Sequence, residues 1–303
     1  MYDIVTGRKL NKKKVVILII LLILLIVLAT MAGIKIADYN SYKKYAEEVK
    51  IQEQQAKQAE LEKQRQEEAA KQAEIQRRIT LTSNPLTEDQ KDNILHIYRS
   101  TGEKRVFLTF DDGPTQSITP LILDVLKQEN VKATFFVLGN NVENNPDLIK
   151  REFDEGHYIA NHGYSHKYSK IYSSPEATLE EYNTTEQAIK NALGNQSYCS
   201  NLFRFPGGSN GGYYNEAKQA SKAYLRENGV VHLDWNSLSK DAEGANTKEA
   251  LLQNVIDTVG DKDSVVILMH DASDKILTYE MLPDLIAYLR EKGYKFENIY
   301  DLL

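Results

Sequence analysis

The chain predicts an α/β domain on a parallel sheet, open or closed into a barrel, behind one apolar helix and a charged helical stalk. Three features of its 303 residues predict this. An uncharged run fills 15–34, and a Gln-, Glu-, Lys- and Ala-rich stretch without Gly or Pro fills 39–78. From about 105 onward, short β-rich runs alternate with amphipathic helical ones. That alternation is the pattern of repeated βα units with helices packed outside a parallel sheet.

Bulk composition narrows the class further. With 26% charged and 42% hydrophobic residues, the chain is neither purely disordered nor collagen-like. A formal net charge of -6 leaves no basic footprint, which argues against a nucleic-acid partner. Cys199 is the single cysteine, so an intramolecular disulfide, a CxxC redox pair and a thiolate zinc cage are excluded. Six histidines leave an imidazole metal site open.

The elements follow in order. The uncharged run is about 20 residues long, enough for a helix to cross a bilayer core of roughly 30 Å. Arg8, Lys9, Lys12, Lys13 and Lys14 precede it, so 1–14 is expected in the cytoplasm, 15–35 as the anchor and the remainder outside. A cleaved signal peptide is the rival, but the run exceeds the usual core of about 7–15 residues and no A-x-A site closes it. Residues 36–82 read as a stalk, with Glu53 and Lys57, Glu67 and Lys71, and Glu74 and Arg78 at the favourable i,i+4 spacing. Val49, Ile51, Leu61 and Ile75 are too sparse for a strong coiled-coil seam. A rigid spacer of roughly 60 Å, a loose tether and a weakly self-associating coil all remain open.

Ser83-Asn84-Pro85 breaks this pattern, and Thr87-Glu88-Asp89-Gln90 reads as a capping box opening a short helix through Ile97. Residues 83–104 therefore read as a short linker helix, and 105–303 as the α/β domain. Its strands are expected at 106–110, 133–138, 158–160, 202–205, 230–235 and 265–269. Its helices are expected at 120–129, 147–155, 179–193, 215–228, 248–259 and 283–292.

In such folds, functional groups gather at the C-terminal ends of strands. Asp111 and Asp112 follow the first strand, His162 and His166 the third, Arg204 and Pro206-Gly207-Gly208 the fourth. Asp234 and Trp235 end the fifth, Asp241 follows it, and His270 comes directly after the sixth. One acid of the Asp111–Asp112 pair can ligate a cation while the other moves protons. Two imidazoles and one carboxylate make a three-ligand set with open positions, suited to hydrolytic zinc or to cobalt, manganese or nickel. A non-haem iron oxygenase uses the same donors. An arginine facing Asp111 would keep it ionised, and a bare Gly207 N–H is what an oxyanion acceptor needs. His270 can protonate a departing amine if an acid fixes its tautomer. Trp235 can stack on a sugar or serve the core.

The segments TFDDGP (109–114), HGYSH (162–166), RFPGG (204–208) and LMH (268–270) resemble the first, second, third and fifth motifs of the polysaccharide deacetylases. These form carbohydrate esterase family 4, the NodB-homology family. The likeness runs over about 105–303. It implies a distorted (β/α) barrel that removes acetyl groups from N-acetylated sugars with a divalent metal, zinc foremost. It further implies Asp111 as general base, Asp112, His162 and His166 as metal ligands, and Arg204 as the residue orienting the base. His270 becomes the general acid and Leu268 helps form the pocket for the acetate methyl; Gly207, Pro206 and Trp235 are expected beside the substrate from their place at the strand ends.

The sequence departs from the family in two places. Gly163 stands where Ser or Thr usually follows the first histidine. In the fourth motif, Leu238 stands where the first acid is expected and Ala242 where tryptophan is, leaving Asp241 or Asp234 to tune His270. An anchored external enzyme of this kind is expected to act on N-acetylglucosamine, in peptidoglycan or in the linkage unit of a wall polysaccharide. A catalytically inactive wall-glycan-binding protein is the remaining reading.

Overall fold

The computed structural model describes residues 12–303, which fall into two compact units, one ending at Gln72 and one spanning Ala73–Leu303. Helix Lys12–Leu81 accounts for the described residues of the first unit. Its apolar stretch carries exposed side chains from Val16 to Ile34, and it is long and apolar enough to cross a membrane by length and composition. The Gln-, Glu-, Lys- and Ala-rich stretch is helical, as the absence of Gly and Pro allows.

Within Ala73–Leu303, eight strands form one parallel sheet: β1 (Arg105–Asp111), β2 (Thr134–Val137), β3 (Tyr158–Asn161), β4 (Leu202–Phe203), β5 (Val231–His232), β6 (Ser237–Leu238), β7 (Ser264–His270) and β8 (Lys295–Glu297). Their order is β5-β4-β3-β2-β1-β7-β6. β1 pairs β7 along its whole length, while its other partners divide it: β8 takes Arg105–Phe107 and β2 takes Thr109–Asp111. β5 and β6 do not pair among the described residues, so the barrel is incomplete at that point. The Arg204 guanidinium, on the inner face, donates to the Leu233 and Asp234 carbonyls just past β5, each at 3.0 Å. A side chain thereby satisfies carbonyls that lie beyond the end of the β5 ladder.

Several expected boundaries shift. β4 and β5 are shorter than 202–205 and 230–235, because the chain leaves the ladder early to carry Arg204 and Asp234. β6 and β8 are additional short strands with little alternation to mark them. The last long helix begins at Ile276 rather than at Pro283, which lies inside it. Its buried face of Thr278, Met281, Leu282, Leu285, Ile286 and Leu289 outweighs the proline's lost hydrogen bond, because apolar burial is cumulative.

The pleat sorts the strand residues onto two faces. Val106, Leu108 and Phe110 of β1, with Val265, Ile267 and Met269 of β7, join the core beneath the helices. Phe107 and Val266 point the other way, into an inner core with Phe136, Tyr158 and Leu202. Leu86, Ile94 and Ile97 close the N-terminal end of that inner core. Their helix, Glu88–Leu95, opens with the expected Thr87–Gln90 capping box. By the same alternation, Thr109 and Asp111 of β1 and Leu268 and His270 of β7 share the inner face, above the apolar plug.

Candidate active site

Asp111 and His270 are register partners at the C-terminal ends of β1 and β7. The alternation that buries Phe107 and Val266 brings both side chains to the inner face. Asp111 is buried, and its Oδ1 accepts from Arg204 at 2.8 Å. The same guanidinium donates to Thr109 Oγ1 at 2.7 Å and lies over the Phe136 ring at 3.9 Å. Burial pushes the Asp111 carboxyl up, with Arg204 and then His270 opposing. A carboxylate raised in this way holds a proton better than a free one, which suits a general base.

After Asp111 the backbone turns left-handed, with Asp112 at φ 76, and this swings Asp112 to one side of Asp111. β3 delivers His162, whose Nδ1 meets the Arg204 carbonyl at 2.8 Å. A carbonyl can only accept, so Nδ1 carries the proton and Nε2 keeps its lone pair. Burial pushes His162 down to about 3, which leaves it neutral, the state a metal ligand needs. His166 follows in a left-handed conformation at φ 55. Asp112 Oδ1 lies 3.6 Å from His162 Nε2 and 3.4 Å from His166 Nε2.

Ligand atoms of Asp112, His162 and His166 all lie within 4.8 Å of one another. Asp112 Oδ1 is buried and makes no hydrogen bond. An orphaned carboxylate oxygen facing two imidazoles fits a small divalent cation, and the donor set of one oxygen and two nitrogens is the kind zinc accepts.

On the other flank, His270 Nδ1 meets Asp241 Oδ1 at 2.8 Å, and its backbone N–H donates to Asp241 Oδ2 at 2.8 Å. Thr278 Oγ1 also donates to Oδ2 at 2.8 Å. Burial opposes the His270 charge, but Asp241, with Asp111 and Asp112 behind it, outweighs burial and the imidazole is raised to about 9. Burial likewise opposes the Asp241 charge, yet its bonds to His270 and Thr278 hold that carboxyl below the usual range. Of the two acids, Asp241 is the one that contacts His270. Asp234 instead accepts from the Ser209 N–H at 3.0 Å and its hydroxyl at 2.6 Å, fastening the loop after Gly208.

The remaining candidates sort by position. Gly207 is exposed in a left-handed turn at φ 70, and among the described residues its N–H donates to no protein acceptor. Pro206 is buried and offers its carbonyl to Tyr172 Oη at 2.7 Å. Leu268 lies on the inner face of β7, in register with Leu238 of β6. Leu238 thus fills an apolar strand position where an acid was expected. Trp235 is half-buried; a Cβ on Gly208 would lie 3.2 Å from its ring. Gly163 adopts φ 84, which explains a glycine where Ser or Thr is expected.

Two supporting residues escaped the sequence reading. Glu181, on the helix Pro175–Leu193, accepts from the Tyr164 and Ser165 N–H groups at 2.8 and 2.7 Å. Its other oxygen takes Ser165 Oγ at 2.9 Å and Lys170 Nζ at 2.8 Å. It thereby clamps the loop between the two histidines. Asp271 is buried under Gly113, where a Cβ would lie 2.0 Å from its carboxylate. Its position next to His270 was its only signal. Nothing in the polar face of a helix distinguishes Glu181.

Comparison with known proteins gives consistent matches. Residues 98–227 match the family model described as polysaccharide deacetylase. A peptidoglycan-N-acetylglucosamine deacetylase of Bacillus cereus is 35% identical over 67% of this chain and 72% of its own. The relative PgdA of Listeria monocytogenes, of the same description, is also 35% identical, over 66% of this chain. This chain spans only 39% of that relative's length. Among solved structures, a Streptococcus mutans CE4 esterase superposes with a TM-score of 0.62 at 32% identity, covering 69% of this chain and 90% of its own.

Proposed function

The chain belongs to the polysaccharide deacetylase family, and from that premise we propose that it is a membrane-anchored, metal-dependent hydrolase of N-acetylglucosamine acetamides in wall glycan, foremost peptidoglycan. The convergence of Asp112, His162 and His166 within 4.8 Å, beside the buried Asp111–Arg204 pair, carries this reading. A divalent ion held by those three residues, zinc foremost and cobalt, manganese or nickel otherwise, would polarise the acetamide carbonyl and acidify water.

This chain's own residues do the rest. Asp111, kept ionised and aimed by Arg204, takes a proton from the water as its oxygen bonds to the carbonyl carbon. The Gly207 N–H faces the oxygen on which negative charge develops. Asp241 holds the His270 Nδ1–H, so Nε2 carries the proton that goes to the sugar nitrogen as the C–N bond breaks. Acetate and a free amine result. Leu268 supplies apolar surface for the acetate methyl, and Pro206 and Trp235 shape the sugar side.

The peptidoglycan assignment is supported by the Bacillus and Listeria relatives, which are peptidoglycan-N-acetylglucosamine deacetylases. Leu238 and Ala242 in the fourth motif favour a second reading, the N-acetylglucosamine of a wall-polysaccharide linkage unit, because they alter the groove. The apolar helix and the basic residues before it support a single-pass anchor with the catalytic unit outside. The test is purified full chain in detergent, given peptidoglycan and wall polysaccharide separately, with acetate and free amines counted with and without chelator. Amines from peptidoglycan, lost on chelation, are expected. Release from neither glycan would leave only glycan binding.

A further inference from the structure

Tyr168 opens the short helix Tyr168–Ile171, two residues after His166. Its ring lies 5.5 Å from that of His166, so it borders the metal-ligand set. Its hydroxyl reaches the glycine loop: a Cβ on Gly207 would fall 2.5 Å from Tyr168 Oη. The hydroxyl therefore occupies space that any side chain at 207 would take, and Gly207 at φ 70 leaves it free. Aromatic neighbours fix the ring, with Tyr172 at 5.7 Å and Tyr214 at 6.2 Å. Tyr172 is itself tied to the Pro206 carbonyl at 2.7 Å. The phenol is thus braced between the histidine loop and the glycine loop, and its ring has little freedom to leave.

That bracing ends in an unused donor. Among the described residues, Tyr168 Oη makes no hydrogen bond with the protein, and the residue is 37% exposed. A tyrosine hydroxyl held beside a metal site and a free backbone N–H has one evident kind of acceptor, a substrate oxygen. We propose that Tyr168 is a further catalytic residue, its hydroxyl donating with the Gly207 N–H to the oxygen that becomes negative when water adds to the acetamide. This rests on the deacetylase reading above. A donor that meets charge only after attack lowers the barrier without tightening substrate binding.

Tyr168→Phe keeps the ring and its packing while removing the hydroxyl. Full-length protein loaded with Zn2+ is assayed on a soluble N-acetylglucosamine oligomer. The expected result is a fall in kcat of about 10²-fold with KM within about two-fold, the size seen for loss of one oxyanion donor. Zinc affinity should not change, and a phosphonamidate mimic of the tetrahedral intermediate should weaken by the same factor as kcat/KM. A rise in KM at unchanged kcat, or no change in either, overturns the proposal while wild-type acetate release keeps the deacetylase reading. Zinc-loaded wild type that releases no acetate from any glycan removes both.

Discussion

Asp111 and His270 ride on adjacent strands in register, whereas Asp112, His166 and Gly207 sit on loops whose backbone is left-handed at φ 76, 55 and 70. The strand pair is held by the pleat and by partners underneath: Arg204 below Asp111, Asp241 beside His270. The loop groups have no ladder to fix them and depend on borrowed restraints. Glu181 clamps the segment between the histidines, and buried Asp271 braces the 111–115 turn through the Asp111 carbonyl and Thr115 Oγ1. Proton-moving groups thus sit on rigid strands, and cation-holding groups on loops that need a supporting shell.

The largest expected effect separates the two sides cleanly. Asp111→Asn should cut turnover by about 10²- to 10⁴-fold, the worth of a general base, while metal affinity measured by chelator competition stays near wild type. His162→Ala should do the converse, losing bound metal outright. If Asp111→Asn proved fully active, the assignment of the base to the strand side would be wrong.

Glu181→Gln tests the loop side. A neutral amide cannot accept both backbone N–H groups and the Lys170 ammonium as the carboxylate does, so metal affinity should fall about 10- to 100-fold. With metal restored to saturation, kcat should recover. Unchanged affinity would show that the loop holds its shape without the clamp. Gly113→Ala, pressing a methyl onto buried Asp271, should cost about 1–3 kcal/mol of stability by overpacking, read as a lower denaturation midpoint.

The pH dependence sharpens the strand side. His270 is raised from its ordinary 6.5 to about 9, so its deliverable proton is present at lower pH and lost as pH rises through about 9. The same shift adds folding stability that is full below 6.5 and disappears through about 9. NMR titration of metal-free protein should show it directly. A cation on Asp112 cancels one of the carboxylates that raise His270, so the alkaline limb of activity should lie below that value. Asp241→Asn should pull the limb lower still, since burial then acts with less opposition. Thr278→Val, which removes one bond to Asp241, should have the smallest effect, about 1 kcal/mol or less.

Much of this site was legible in the linear chain because strand alternation and strand ends are local properties. Val106, Leu108 and Phe110 facing one way put Asp111 on the other face, and the same holds for Val265, Ile267, Met269 and His270. The apolar run, the Gly- and Pro-free stalk and the Thr87–Gln90 cap are equally local, set by hydropathy and hydrogen-bond chemistry over a few residues. What no local pattern contains is which distant groups meet. Asp241 rather than Asp234 reaching His270, Arg204 joining Asp111 to the Leu233 and Asp234 carbonyls, Glu181 gripping the histidine loop and Tyr168 settling over Gly207 all follow from packing. Those contacts join residues distant along the chain, and only the tertiary arrangement of the sheet and its loops decides them.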